Sequence, residues 1–218
     1  MIQSIIQRIS SHLEKQVKPF LNPPATLQQI EYVETKTGIT FPDDLRKLYL
    51  THNGEMEFGP GLFFGLPFLS LDVILAEWEV WSNFINDDEL NEIDAYSVPS
   101  SHIKEQYINR YWIPISYDSG GNYLGIDLDP DIYGTRGQMI NYGRDEEIKY
   151  VIANSITDLL TFILQTIING PYTFNGEESW SYGAIEEMHF FDALKNMDLP
   201  VLYPLNKQQA HKENWLQV

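Results

Sequence analysis

Apolar residues recur at helical spacing from the first residues of the chain: Ile2, Ile5, Ile6, Ile9, Leu13 and Val17, with polar residues between them. That period gathers them on one stripe and predicts an amphipathic helix, ended by Pro19. After Asn22-Pro23-Pro24, Thr26 and Gln29 stand at capping-box spacing. Leu27, Ile30 and Val33 supply the apolar face of this second helix, and Gly38 is its C-terminal stop. Pro42, Asp43 and Asp44 suit the first turn of a third helix, where the dipole favours negative charge. Its inward face is Leu45, Leu48 and Tyr49, and Asn53-Gly54 ends it. Between Glu55 and Pro67, five Gly or Pro positions punctuate Phe and Leu, which predicts short strands joined by turns. Ser70 caps a fourth helix whose face carries Leu71, Ile74, Trp78, Trp81 and Ile85. Asn86 to Glu92 reads as an exposed acidic loop.

The period then changes. Asn109 to Ile115, Tyr123 to Leu128, Gln138 to Tyr142 and Ile148 to Ala153 are strand-like, rich in aromatic and β-branched residues. Turns fall at Tyr117 to Asn122, at Asp129-Pro130-Asp131 and at Gly143-Arg144-Asp145. Ser155 with Asp158 caps a last helix lined by Ile156, Leu159, Leu160, Ile163 and Ile167, which Gly170-Pro171 stops. Helices, then closely spaced strands, then a helix predict an α+β fold, with helices packed on a mainly antiparallel sheet. The organisation expected is an N-terminal helix over 1–23, a domain over 24–170, and an extension over 171–218 packed on that domain. The extension carries scattered aromatics, a helical stretch near Ile185 to Met197, and Pro200 and Pro204. It is too short and too punctuated to bury a core of its own.

Charge narrows the partners. With 31 acidic against 14 basic side chains the net charge is -17, a field that repels phosphates and argues against direct nucleic-acid binding. It attracts basic partners, or it only keeps the protein soluble. The chain has no cysteine, which excludes disulfides and thiolate chemistry. Residues 1–17 lack the continuous apolar run of a signal peptide, and no stretch has the length of a membrane span. The expectation is a cytoplasmic protein with no membrane partner.

The motifs Leu27-x-x-Ile30, Glu34, Gly38, Phe41-Pro42-x-Asp44-Leu45-x-x-Leu48-Tyr49 and Asn53-Gly54 resemble the opening of SMI1/KNR4 (SUKH) domains. Gly61-Leu62-Phe63, Phe64-Gly65, Leu69-Ser70-Leu71 and Trp78 continue the order. Trp112-Ile113-Pro114-Ile115, Asp118-x-x-Gly121-Asn122, Ile126-Asp127-Leu128-x-Pro130, Gly137-Gln138-Met139-Ile140 and Ala153-x-Ser155 complete it. The resemblance covers about residues 24–168 and rests on collinear order, since each motif is short. It implies an α+β fold without catalysis. Bacterial members resemble immunity proteins of polymorphic toxin systems, and fungal members look like cell-wall synthesis regulators.

Candidate chemistry is sparse. Asp118-Ser119-Gly120-Gly121-Asn122 followed by Asp127, Asp129 and Asp131 is the most polar constellation. It reads as turn chemistry, as a partner contact or as a Ca²⁺ site, although Gly120 interrupts EF-hand spacing. Alternation puts Asp127 on the strand face opposite Ile126 and Leu128, towards a cleft or towards water. His12, His52, His102, His189 and His211 have no zinc-helix spacing, and neither a nucleophile elbow nor a phosphate loop is present. No cofactor is implied. Trp78 packs in the core or anchors an interface beside Glu77, and Asp87, Asp88 and Glu89 are a solvated run or a docking edge.

These observations point to a non-catalytic, acidic protein-binding module. The resemblance to the bacterial members implies that the partner is a cognate protein toxin, expected to be basic, and that the chain is an immunity protein. The binding set would be Glu77, Trp78, Asp87, Asp88, Glu89, Tyr117, Asp118, Asn122, Asp127 and Asp129. The alternatives are a regulatory scaffold like the fungal branch and an enzyme using Asp118 and Asp127, which requires both carboxylates in one concave pocket.

Overall fold

Thr26 and Gln29 cap each other in α2 (Leu27–Thr37) as their spacing predicts. The Gln29 amide donates to Thr26 Oγ1 at 3.2 Å, and the Thr26 amide donates to Gln29 Oε1 at 2.8 Å. Gly38 ends the helix at φ 72°, a left-handed conformation that glycine adopts without a Cβ penalty. The computed structural model describes residues 1–170, 172–176, 179–183 and 190–191. Its further helices are α1 (Ile2–Leu13), α3 (Asp43–Tyr49), α4 (Leu71–Ser82), α5 (Asp88–Asn91) and α6 (Ile156–Asn169).

The strands form a five-stranded sheet in the order β1 (Tyr96–Val98), β5 (Ile148–Ala153), β4 (Gln138–Gly143), β3 (Asn122–Asp127) and β2 (Trp112–Tyr117). β2 to β5 make an antiparallel meander, and β1 adds a parallel edge on β5. Ile113, Ile115, Leu124, Ile126, Met139 and Ile152 join the helices α1, α3 and α6 in one large core. Trp112, Tyr123, Ile140, Tyr142 and Val151 form a second apolar layer on the opposite face, under Ile103 and the partly buried Trp81 of α4. Burial on both faces explains why every residue of β3 and β4 is buried, where a one-sided sheet alternates.

Several expectations are corrected. Residues 55–67 form turns with isolated bridges Leu21–Glu55 and Phe63–Leu66, not short strands. The cause is Glu55, whose carboxylate accepts the amides of Gly61 at 2.7 Å, Leu62 at 2.9 Å and Phe68 at 3.1 Å, so those donors have no need of a ladder. β2 starts at Trp112, not Asn109, because the Asn109 side chain accepts the Tyr111 amide in a local turn. Leu27 is 53% exposed and leaves the apolar face of α2 to Ile30 and Val33. The acidic loop holds one helical turn, α5, where Asp87 caps the Glu89 and Leu90 amides.

Beyond Gly170, β6 (Tyr172–Gly176) and β7 (Ser179–Tyr182) make a hairpin that the sequence reading did not anticipate. Tyr172, Phe174, Trp180, Phe190 and Phe191 are buried in the large core. Of the helical stretch expected near Ile185 to Met197, only Phe190 and Phe191 lie within the described residues. Pro200, Pro204, His189 and His211 lie outside them.

Candidate functional site: a stitched acidic end of the sheet

In a meander, alternate turns emerge at the same end. The β2–β3 and β4–β5 turns are therefore neighbours here, and Asn122 joins them. Its register partner is Gly143 on β4. The Asn122 amide donates to Asp118 Oδ1 at 3.0 Å, and its Nδ2 donates to Asp118 Oδ2 at 2.8 Å and Asp145 Oδ2 at 3.3 Å. Its Oδ1 accepts the Asp145 amide at 2.8 Å. Gly120 donates to Asp118 Oδ1 at 2.6 Å, and Arg144 donates its amide to the Gly121 carbonyl at 3.0 Å. One buried asparagine thus holds two carboxylates side by side at the rim.

Rings back this rim. Tyr123, next along β3, stacks on Tyr142 with centroids 5.2 Å apart and donates its hydroxyl to Glu77 Oε2 of α4 at 2.6 Å. Trp81 meets Tyr123 edge-on at 5.8 Å and Tyr107 at 6.1 Å. Gly125 makes room for this layer, since a Cβ there would stand 2.4 Å from Cε1 of Tyr142. Tyr107 donates to the Arg144 carbonyl at 2.7 Å. Burial, then the carboxylates of Glu147 and Asp145, push the Tyr107 hydroxyl up. Burial, then the bond to Glu77, do the same to Tyr123, with Asp118 adding to it. Both phenols therefore stay protonated at neutral pH and serve as donors and flat apolar surface.

Beneath the rim Lys149 is buried, with Nζ donating to the Glu146 carbonyl at 2.9 Å and lying 5.5 Å from the Trp112 ring and 5.7 Å from that of Tyr107. Burial lowers its pKa to about 8 against the opposing pull of Glu146 and Glu147. Asn141 Nδ2 donates to Glu146 Oε2 at 2.5 Å and fixes that carboxylate under the turn.

The structure brings Glu77, Tyr117, Asp118 and Asn122 to this end and places other expected residues elsewhere. Asp127 is fully buried at the far end of β3, so it cannot offer its carboxylate to a partner. It accepts from Trp112 Nε1 at 3.2 Å, Gln138 Nε2 at 2.8 Å and the Asp129 amide at 2.9 Å. Burial raises its pKa to about 6 in spite of these donors. Asp129 pairs with Lys104 at 2.6 Å and accepts from Asn109 Nδ2 at 3.1 Å. Trp78 is buried and donates Nε1 to the Arg110 carbonyl at 2.7 Å, so it pins α4 to the entry of β2 and is not an interface anchor. Asp87 is engaged in its cap, with Asp88 and Glu89 exposed on α5.

Asp118 is bonded to Asn122 at the start of β3 and Asp127 is the last residue of that strand, so about 17 Å of strand separates them at roughly 3.4 Å per residue. They share no pocket, and the paired-carboxylate chemistry expected of an enzyme has no geometric basis. Among the described residues no three His, Asp or Glu side chains converge as a metal site, and no helix is long and apolar enough to cross a membrane. Sequence reasoning missed Trp81 as the cover of the ring layer, placed Tyr123 in a strand and Asp145 in a turn without assigning either to the site, and did not single out Tyr107 or Glu147. The available signal was the meander itself, which puts the acids of the β4–β5 turn beside Asp118.

Comparison with known proteins agrees with this architecture. The SMI1 / KNR4 family (SUKH-1) signature matches residues 24–161. The cell wall biosynthesis/cell cycle regulator smi1 of Schizosaccharomyces pombe is 29% identical over 72% of this chain and 36% of its own length. The cell wall assembly regulator SMI1 of Saccharomyces cerevisiae is 24% identical over 87% and 44%. The KNR4/SMI1 homolog 1 of Debaryomyces hansenii is 33% identical over 90% and 57%. The chain thus spans between 36% and 57% of these relatives. Their names support the regulatory alternative and give none to the immunity-protein expectation. The chain belongs to the SMI1 / KNR4 family.

Proposed function

We propose that this chain is a non-catalytic regulatory module that binds a basic protein partner through its hairpin end, in the control of cell-wall or glucan synthesis. The observation that supports the reading is the rigid pairing of Asp118 and Asp145 through Asn122, on a ring layer, in a family whose relatives include a cell wall assembly regulator. Carboxylates held by the Asn122 side chain and, for Asp118, by the amides of its turn lose little freedom on binding, so their attraction for Lys or Arg is not offset by ordering. A net charge of -17 steers such a partner towards the molecule, and a desolvated ring surface slows its departure.

The test is a chimera in which this chain replaces the matching region of the budding-yeast regulator, in cells lacking that regulator. Growth on a cell-wall-damaging dye should be restored by the parent chimera and not by one carrying Asp145→Lys and Glu147→Lys, both exposed positions. Equal rescue by the two chimeras, at equal protein level, would reject the hairpin end as the working surface.

A further inference from the structure

Beside the hairpin end, the loop after α3, the first turn of α4 and Tyr117 enclose an open groove of about 500 Å³. Met56, Phe58, Pro60, Pro67, Val73 and Tyr117 supply its apolar wall. Phe58 is the telling residue. Its ring is 78% exposed, and its backbone sits at φ 62°, a conformation that disfavours any side chain with a Cβ. A residue with no core role held in a strained conformation marks a position kept for contact with something else.

The floor of the groove is fixed. Glu55 points inward and is engaged by the three amides of Gly61, Leu62 and Phe68, so the loop cannot collapse into the space. The volume suits one large apolar side chain and its backbone. The rim supplies the rest of the chemistry: Glu57 and Asp72 are exposed beside the groove, and Asp118 follows Tyr117 directly. One helical turn from Val73 lies Glu77. The lining contains no Lys or Arg.

From the apolar wall and its acidic rim we infer that the groove seats an extended segment of a partner protein in which a large apolar residue, Leu or Phe, is followed by Lys or Arg. The apolar side chain enters between Phe58 and Tyr117, and the basic residues run on to Asp118, Glu77 and Asp145. This deepens the reading of the hairpin end as a protein-binding surface and rests on it.

Fluorescence anisotropy with the full chain tests it, using three labelled peptides. The first carries Leu-Phe followed by three Lys, the second Ser-Ser followed by three Lys, and the third Leu-Phe followed by three Glu. The first should bind about tenfold or more tighter than the second, and the third should not bind. Phe58→Ala, and separately Met56→Ser, should bring the first peptide down to the level of the second without changing the second. Asp145→Lys with Glu147→Lys should weaken the first and second together. Equal affinity of the first and second peptides, or no effect of both groove variants, would overturn the groove while leaving the hairpin end intact. Loss at the groove variants with none at Asp145→Lys and Glu147→Lys would overturn the hairpin end and the run of basic residues across it. No binding of the first peptide would overturn the inference outright.

Discussion

Asp127 is a carboxylate that three N–H donors hold in its charged form while burial opposes that charge, and burial prevails, with a pKa of about 6 against an ordinary 3.8. Its folded-state pKa is raised, so its contribution to stability is fully present below about pH 3.8 and is lost as pH rises through about 6. Measured by urea denaturation, wild type should gain on Asp127→Asn by up to roughly 3 kcal/mol as pH falls from about 6 to about 4, with no further change above pH 7. Lys149 is the opposite case, with its folded pKa lowered to about 8 from 10.5. Stability should rise with pH between those values, and the advantage of Lys149→Met over wild type, about 1–3 kcal/mol at pH 7, should shrink by pH 10. Phe58→Gly should raise the melting temperature by relieving about 1 kcal/mol of left-handed strain, while abolishing the preference for an apolar peptide.

At the scale of elements, Asn122 binds two hairpins that the chain connects only through β3 and β4. Asn122→Ala should cost about 2 kcal/mol, and hydrogen exchange should quicken at the amides of Asp145 and Asn122 while those of α6 keep their protection. Helices were legible in the sequence because their signals are local. Thr26 with Gln29, Gly38, and Ser155 with Asp158 each settle an end within four residues, and the structure keeps them. The four meander strands were legible from composition and turn residues. β1 was not, since three residues pairing in parallel with a strand 52 positions away, Tyr96 with Ile148, carry no local pattern. The turns after Glu55 were misread because a side chain, not a neighbouring strand, satisfies their amides. Half of the site followed from Asp118, Asn122 and Glu77. The rest needed the sheet order, because Asp145 comes beside Asp118 only once four strands are paired.

For the molecule as a whole, acids lie at both ends of the sheet, with Asp129 and Asp131 in the β3–β4 connection. What sets the hairpin end apart is rigidity and rings, more than charge. Arg8, Lys15 and Lys18 are exposed on and just after α1, which packs on the helical side of the sheet, and Arg144 is exposed in the β4–β5 turn, within a net charge of -17. A field of that sign draws a basic partner in before contact. Raising salt from about 0.05 M to about 0.5 M should lower the association rate by about tenfold in stopped-flow mixing and leave dissociation almost unchanged.

Phe64 stacks on Tyr172 at 4.1 Å and meets Trp180 and Phe190, while Trp180 donates to the carbonyl of Pro60 at 2.5 Å. Tyr172 and Trp180 of the β6–β7 hairpin, with Phe190, therefore buttress the loop whose Phe58 and Pro60 line the groove. Severing the polypeptide after Gly170 would keep Asp118, Asp145 and Glu147 in the chain and slacken the cradle, giving a protein that still meets its partner and lets it go sooner.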